Sequence, residues 1–208
     1  MRYKYPRTYH LPYSASVTKD DRQLTDDSCF YGKNVIVSEK MDGENISIYK
    51  DGFHARSLDS KHREYHSWLI SYIQNFMYDL PDENWRICGE YLYAKHSIGY
   101  SDLPSYFMGF SLWHNDTCQD WNTTEAFFNE HGIVSVPVLY KGLYDTETVK
   151  KIAKEVVERG GEGVVVRNQN SFTLNEWKSN IAKYVRPNHV QTDEHWQYSK
   201  IEKNELRK

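Results

Sequence analysis

Short apolar and β-branched runs recur along this chain, separated by turn residues, and they predict strands. Asp-Gly pairs at 42–43 and 51–52 mark turns between the first three runs. These three strands are therefore expected to form a β-meander. The predicted strands are residues 34–39, 46–49, 53–57, 85–93, 105–113, 136–140, 161–167 and 181–185.

Helices are predicted where apolar residues recur at spacings of three and four. The pattern is long over residues 60–79, where most of the apolar positions are aromatic or β-branched. Two shorter helices are expected, one from 123 to about 131 and one over 146–159. Helices and strands do not alternate regularly, so the predicted fold class is α+β with mainly antiparallel sheets.

Length and composition suit one main domain. The 208 residues can bury a sizeable core, and 39% of them are hydrophobic. We expect an irregular lead-in over residues 1–33, packed on a domain that spans 34–198. A charged tail over 199–208 is expected to be a frayed helix or disordered. Too few residues follow Arg186 for a separate OB domain.

Charge and cysteine content narrow the setting of the protein. A net charge of −3 means that any nucleic-acid site must be a local basic patch. Three widely spaced cysteines form no CxxC pair, which favours a reducing compartment and a cytoplasmic location. No stretch approaches the length of a membrane span, so no membrane partner is expected.

The candidate for chemistry is Lys40, which ends the first predicted strand just before the Asp-Gly pair. A lysine backed by apolar residues is partly desolvated, and desolvation or nearby cations lower its pKa and free the amine as a nucleophile. Taken alone, the pattern favours an exposed lysine in a hairpin beside an ordinary Asp-Gly turn, because only three positions match.

Further motifs follow Lys40 in a fixed order and favour the chemical interpretation. Together they resemble the motifs of covalent nucleotidyltransferases, the superfamily of DNA ligases, RNA ligases and mRNA capping enzymes. The stretches are KMDG at 40–43, HARS at 54–57, CGEY at 88–91, FMGF at 107–110, EGVVVR at 162–167 and KYVR at 183–186.

Within that superfamily the chain is most similar to phage and bacterial RNA ligases. The opening YPRTYHLP at 5–12 and the closing residues 186–196 resemble one group of these ligases, and Asn45 matches an asparagine typical of them. The resemblance implies an ATP-grasp-like nucleotidyltransferase domain. Antiparallel sheets would flank a nucleotide groove, with helices outside.

The resemblance also implies a reaction. Lys40 would attack the α-phosphorus of ATP and hold AMP as a phosphoramidate, and AMP would then pass to an RNA 5′-phosphate before the RNA 3′-hydroxyl closes the strand. The implied cofactors are ATP and Mg²⁺, with Mn²⁺ as the alternative ion. RNA ends are the expected partners, and no obligate protein partner is evident.

Roles for individual residues follow from the same resemblance. Glu90 would accept from the ribose hydroxyls, Phe110 would stack on adenine, and Glu162 would place the metal ion. The catalytic residues would be Lys40, Lys183 and Arg56. The ATP-binding residues would be Glu39, Lys40, Asn45, Arg56, Glu90, Phe110, Glu162, Lys178 and Lys183.

Several positions allow a structural interpretation instead. Arg56 and Glu90 could form a structural salt bridge, Phe110 could belong to the core, and the glycines around Glu162 could mark a tight turn. RNA ligases usually carry two lysines one residue apart in the last motif, whereas only Lys183 is present here. Lys178 or Arg186 is the expected substitute.

Three other functions remain open at the level of sequence. A minimal DNA ligase and a GTP-dependent capping-type enzyme share the motifs. An inactive module that binds RNA ends would keep the fold without turnover.

Overall fold

Two β-sheets with three α-helices form the framework of the molecule. The computed structural model describes residues 1–187 and 201–208. Most of the closing stretch at 186–196 and the start of the charged tail therefore lie outside the described residues. No helix in the described part of the chain is long and apolar enough to cross a membrane.

The elements largely coincide with the predicted ones. The strands are β1 (Tyr9–His10), β2 (Asn34–Lys40), β3 (Glu44–Tyr49), β4 (Gly52–Ala55), β5 (Trp85–Tyr91), β6 (Phe107–His114), β7 (Thr117–Cys118), β8 (Val138–Leu143), β9 (Gly163–Asn168), β10 (Phe172–Thr173) and β11 (Ile181–Val185). The helices are α1 (Ser67–Ile73), α2 (Trp121–Glu130) and α3 (Thr146–Glu158), with short 3-10 helices at Ser28–Phe30, Glu64–His66, Met77–Asp79 and Leu174–Ser179.

The strands are divided between two sheets. Sheet A has the order β1-β11-β9-β2-β8, and sheet B has the order β10-β7-β6-β5-β3-β4. Neighbouring strands are antiparallel except β1 and β11, which run parallel. The predicted α+β class with mainly antiparallel sheets is thus confirmed.

The predicted meander is wrong at its first turn. β2 belongs to sheet A and β3 to sheet B, so residues 41–43 carry the chain from one sheet to the other. Gly43 allows this passage, because a Cβ there would lie 2.5 Å from the Tyr91 carbonyl oxygen. Only the second Asp-Gly pair, at 51–52, makes a hairpin, which joins β3 to β4.

The predicted long helix over 60–79 is wrong in length but right about its buried side. Only Ser67–Ile73 is α-helical, flanked by two short 3-10 helices. Leu69, Ile73 and Phe76 are nevertheless buried in one core cluster. Aromatic and β-branched side chains favour helix weakly, so packing sets the backbone here.

The two longer helices begin at aspartate caps. Asp120 accepts a hydrogen bond from the Thr123 amide, and Asp145 accepts one from the Thr148 amide. The first of these helices therefore begins at Trp121, slightly before the predicted start. The second packs Val149, Ala153 and Val156 into a core with the valines of β2 and β9.

Residues 201–208 are neither frayed helix nor disordered. Asn204 is 3% exposed, and its side chain donates to the Leu92 carbonyl (2.8 Å) and accepts from the Tyr100 amide (2.8 Å). Backbone bridges pair Lys203 with Ala94 and Leu206 with Leu103. The charged side chains of this segment face outward, and its backbone and one asparagine fix it to the domain.

Candidate active site

One large cavity takes lining residues from both sheets. Sheet A and the residues beside it supply Lys40, Glu162 and Lys183, and sheet B supplies Glu90 and Phe110. The lead-in contributes a further wall, and residues 94–97 contribute another. Every predicted ATP-binding residue except Lys178 lines this cavity.

Lys40 and Glu162 form an ion pair at the end of sheet A. Lys40 is the last residue of β2 and is paired in register with Gly163 of β9, so Glu162 lies beside it. The ammonium nitrogen is 2.6 Å and 2.7 Å from the two carboxylate oxygens. The Glu162 side chain is fully buried, while that of Lys40 keeps 19% exposure toward the cavity.

The expected lowering of the Lys40 pKa is wrong for this state of the site. Burial of the ammonium is the largest single effect and lowers the pKa, but the charges of Glu162, Glu90 and Asp42 and the hydrogen bond to Glu162 together raise it by more. The pKa of Lys40 therefore lies above its ordinary value. The amine is held as a cation until the charge of Glu162 is compensated by another group.

Glu90 faces the same cavity from β5 of sheet B. One of its carboxyl oxygens lies 3.2 Å from the Gly43 amide, which donates to it. Burial raises the pKa of Glu90 to about 8; the charge of Lys40 opposes this rise, and the charges of Glu162 and Asp42 add to it. Near neutral pH this carboxyl can therefore hold a proton and donate a hydrogen bond.

Asp42 anchors the loop that closes the cavity near Lys40. One carboxylate oxygen accepts from the Ser97 amide (2.8 Å), the Ser97 hydroxyl (2.6 Å) and the Ile98 amide (2.8 Å). The Asp42 amide donates to the Tyr100 hydroxyl at 2.9 Å. The aspartate thus has a positioning role that the Asp-Gly turn signal did not indicate.

Lys183 faces the cavity from β11 and is surrounded by charged groups. Its ammonium is 3.7 Å from a carboxylate oxygen of Asp21, and the same oxygen is 3.4 Å from His10 Nε2. Burial and the nearby charge of Lys40 lower the pKa of Lys183, and Asp21 opposes them. Arg56, which follows β4 and lines the cavity, also lowers that pKa.

Glu39, Phe110 and Asn45 occupy different parts of the cavity wall. The Glu39 carboxylate forms an ion pair with Arg159, just after α3. The Phe110 ring contacts the edge of the Tyr5 ring, with centroids 5.4 Å apart, so it shares in packing as well as in the lining. The Asn45 side-chain oxygen is buried and has no hydrogen-bond partner among the described residues, which makes it a ready acceptor.

Neither expected substitute for the second motif lysine reaches the cavity. Lys178 lies in the 3-10 helix before β11, where its ammonium sits 5.7 Å from the centre of the Tyr9 ring. Arg186 donates its backbone amide to the Glu162 carbonyl at 2.9 Å, but its side chain does not line the cavity. Lys178 therefore lies outside the lining of this cavity, and its assignment to ATP binding stays a prediction.

The side chains present fit a metal ion that is shared with a phosphate. Within residues 1–187 and 201–208, no group of three or more His, Cys, Asp or Glu side chains could hold a metal alone. Mg²⁺ commonly uses one or two carboxylates together with waters and substrate phosphates. Glu162 can supply one such carboxylate.

The sequence does not predict that the lead-in contributes to the site. Asp21 and His10 lie close to Lys183, whereas the sequence of the lead-in indicates only a resemblance to one group of RNA ligases. The one available signal was the YPRTYHLP stretch itself, whose His10 is buried at the cavity. Asp21 carries no local signal, because its contact depends on how the lead-in folds back.

Two mainly antiparallel sheets border a groove, with a partly buried lysine at one strand end, and this is the fold of ligase nucleotidyltransferase domains. The profile of the RNA ligase family matches residues 33–185. The chain therefore belongs to the RNA ligase family, as its motifs predict. No curated protein matches the chain.

Solved structures share the fold at low sequence identity. An archaeal ATP-dependent RNA ligase is 18% identical with a TM-score of 0.63, and the match covers 87% of this chain and 48% of that one. A Naegleria gruberi RNA ligase mutant with ATP and Mn is 15% identical with a TM-score of 0.57, covering 89% and 62%. A putative ATP-dependent DNA ligase from Aquifex aeolicus is 17% identical with a TM-score of 0.56, covering 88% and 50%.

The chain spans about half the length of the archaeal ligase that it resembles. At these identities the likeness concerns the fold alone. The chemistry of this chain has to be argued from its own side chains.

Proposed function

We propose that this protein is an ATP-dependent RNA ligase that works through a covalent adenylate on Lys40. The observation that carries the proposal is the convergence of Lys40, Lys183, Arg56 and Glu162 on one cavity that both sheets line. A nucleophilic amine beside fixed cations and a buried carboxylate suits attack on a phosphate.

The reaction proceeds in three balanced steps. The Lys40 nitrogen attacks the α-phosphorus of ATP, a P–N bond forms, and the bond to pyrophosphate breaks. An oxygen of an RNA 5′-phosphate then attacks the same phosphorus, which frees the lysine and leaves an adenylated RNA end. The 3′-hydroxyl of a second RNA end finally displaces AMP and forms the phosphodiester.

The site must above all stabilise the negative charge of the phosphates. Lys183 and Arg56 supply fixed positive charge, because phosphoryl transfer is stabilised largely by positioning and electrostatics. Burial and the charge of Lys40 lower the pKa of Lys183, and a phosphate bound beside it would oppose that lowering and favour the cation. Both side chains are therefore expected to support the rate more than the binding of adenine.

The nucleoside is proposed to bind across the gap between the sheets. Glu90 and the unpartnered Asn45 oxygen would meet hydroxyl or amino donors, and Phe110 would offer a ring face to adenine. Glu39 lies on the same wall, next to Lys40 in β2; its amide already donates to the Pro137 carbonyl at 2.8 Å, so its remaining polar groups would meet the base edge.

Glu162 links the metal ion to the state of Lys40. A divalent ion, Mg²⁺ or Mn²⁺, would supply positive charge to the ATP phosphates when Glu162 ligates it. The carboxylate that raises the pKa of Lys40 would then be compensated. The amine would lose its proton more readily, as attack on phosphorus requires.

Labelling with ATP tests the proposal. Wild-type protein is incubated with α-labelled ATP or GTP and Mg²⁺, denatured, and examined for label on the protein. We expect label from ATP on the wild type and none on Lys40→Arg, which keeps the positive charge beside Glu162. Intact mass before incubation shows whether the protein was isolated already adenylated.

Other results would point to the alternatives. Label from GTP would indicate capping-type chemistry. Joining of nicked DNA but not RNA would indicate a DNA ligase. An unmodified protein that never takes label but binds RNA ends would be an inactive binding module.

A further inference from the structure

The lead-in folds around the strand that carries Lys183. β1 pairs in parallel with β11, with His10 opposite Lys183. The Leu11 amide donates to the Lys183 carbonyl at 2.8 Å, and the Val185 amide donates to the Ser14 hydroxyl at 3.0 Å. Residues 10–14 therefore hold the backbone of β11 at Lys183 and just after it.

The chain then turns back and returns to the same place. The His10 amide donates to the Arg22 carbonyl at 2.6 Å, and the Leu24 amide donates to the His10 carbonyl at 2.8 Å. These bonds place Asp21 beside His10 and next to the Lys183 ammonium. Asp21 belongs to no helix or strand, so the return of the chain alone determines where its carboxylate lies.

The Asp21 carboxylate is itself held in place. One oxygen accepts from the amide and the hydroxyl of Thr18, at 3.0 Å and 2.9 Å. The other oxygen lies near Lys183 and His10, at 3.7 Å and 3.4 Å. Although burial opposes ionisation, the bonds from Thr18 and the charge of Lys183 lower the pKa of Asp21 to about 2.

His10 completes the arrangement as a neutral group. Burial and the charge of Lys183 lower the pKa of His10 to about 4. Its Nδ1 lies 2.9 Å from the Ser14 hydroxyl, and its ring is 2% exposed. The carboxylate of Asp21 is therefore the group from the lead-in that brings negative charge to Lys183.

We propose that Asp21 is a positioning residue that holds the Lys183 ammonium in place and charged toward the reacting phosphate. The inference rests on the proposed function. It gives the lead-in a part in positioning Lys183, the lysine of the last motif, since neither Lys178 nor Arg186 lines the cavity beside it. A lysine held at both its backbone and its ammonium needs less reorganisation when phosphate arrives.

The test compares three variants with the wild type. Asp21→Asn removes the charge, Asp21→Glu restores it on a longer arm, and Glu83→Gln is the control. The Glu83 side chain is exposed, does not line the cavity, and makes no hydrogen bond or ion pair within the described parts of the chain. Each protein is assayed for the rate of Lys40 adenylation at saturating ATP, for the KM for ATP, and for thermal unfolding.

We expect Asp21→Asn to slow adenylation at saturating ATP by between about tenfold and a hundredfold, with a smaller change in KM. Asp21→Glu should recover part of the rate, and Glu83→Gln should stay within about twofold of the wild type, as surface changes usually do. Equal rates for Asp21→Asn and wild type would overturn the inference. So would equal losses in both Asp21 variants that follow their thermal unfolding, because that pattern means structure alone.

The pH dependence of the adenylation rate separates an electrostatic role of Asp21 from a merely structural one, because a structural role would leave that dependence unchanged. Lys183 faces Lys40 on β2, Glu162 before β9, Arg56 after β4, and His10 and Asp21 in the lead-in. Asp21 raises the pKa of Lys183. Its removal should therefore shift the alkaline limb of the adenylation profile to lower pH, while the Glu83→Gln profile stays that of the wild type. Absence of any adenylate on the wild type would instead refute the proposed function.

Discussion

The pKa values of the charged side chains in the cavity are set by burial and by the charges of their neighbours. The Lys40–Glu162 pair places a buried carboxylate against the nucleophile, and Glu90 lies close enough for both charges to influence its pKa. Removing one charged side chain of such a pair leaves the other charge without compensation. Lys40→Arg is for this reason a better inactive variant than Lys40→Ala.

The raised pKa of Glu90 predicts how the free energy of unfolding changes with pH. Its pKa is raised to about 8 in the native protein, so above its ordinary pKa the unfolded chain loses the proton first. Wild-type stability relative to Glu90→Gln should therefore fall as the pH rises from about 5 to about 8, by at most about 1.4 kcal/mol per pH unit. Urea unfolding of both proteins at several pH values measures the difference.

An exposed carboxylate serves as the control for Glu90. Glu83 lies on the surface before β5, and Glu83→Gln should follow the wild type at every pH. A constant difference between Glu90→Gln and wild type across this range would contradict a raised pKa for Glu90.

At the scale of elements, segments outside the sheets hold the active-site loops. Residues 201–208 fix the stretch from Leu92 to Leu103, and that stretch in turn holds Asp42 through Ser97, Ile98 and the Tyr100 hydroxyl. Asp42 is two residues from Lys40. A contact far along the sequence thus supports the position of the nucleophile.

Asn204 is the residue through which this support can be tested. Asn204→Ala leaves the Leu92 carbonyl and the Tyr100 amide without their partner in a buried place. We expect a loss of about 2 kcal/mol in the free energy of unfolding, together with faster proteolysis in residues 94–100. Chemical denaturation and limited proteolysis measure the two effects.

Glu205→Ala is the companion variant for Asn204. The Glu205 side chain is exposed, and only its backbone bonds to Tyr100 and Leu103. It should unfold and resist protease as the wild type does. If Asn204→Ala behaved in the same way, the segment would be supported by its backbone alone.

At the scale of the whole molecule, the cavity lies where two separately packed sheets meet. Each sheet has its own apolar cluster, and a third, smaller cluster contains residues of both, such as Trp113 of β6 and Ile181 of β11. A nucleotide bound between Glu90 and Lys183 would contact both sheets at once. Binding should therefore stabilise the molecule as a unit.

The melting temperature in the presence of a nucleotide analogue tests whether a nucleotide binds in this cavity. An ATP analogue whose α–β bridge cannot be cleaved should raise the melting temperature, with a stabilisation of about 2.7 kcal/mol at 100 times its Kd. The matching GTP analogue should give a smaller shift at the same concentration. Equal shifts with the two analogues would show that the pocket does not distinguish the bases.

Local pattern was sufficient for most elements and for much of the proposed site. Short apolar and β-branched runs between turn residues favour strands, so β2, β5, β6, β9 and β11 were predictable from their own residues. Lys40, Arg56, Glu90, Glu162 and Lys183 were found because their motifs are short and contiguous. All five line one cavity.

Local pattern failed where a contact joins distant segments. The Asp-Gly pair after Lys40 has the composition of a hairpin turn, but the Asp42 carboxylate binds backbone at 97–98 and the chain passes to the other sheet. Lys178 was placed in the site by its nearness to Lys183 in sequence. A 3-10 helix turns it toward Tyr9 instead.

The sequence by itself determined the fold class, the family and the identity of the nucleophile candidate, because these depend on residue type and order over short spans. Only the tertiary structure decided the protonation of Lys40, the partner of Lys183 and the state of residues 201–208. A pKa is set by all charges within a few ångströms, whatever their separation in sequence. Asp21 is 162 residues from Lys183 along the chain and 3.7 Å from it in space.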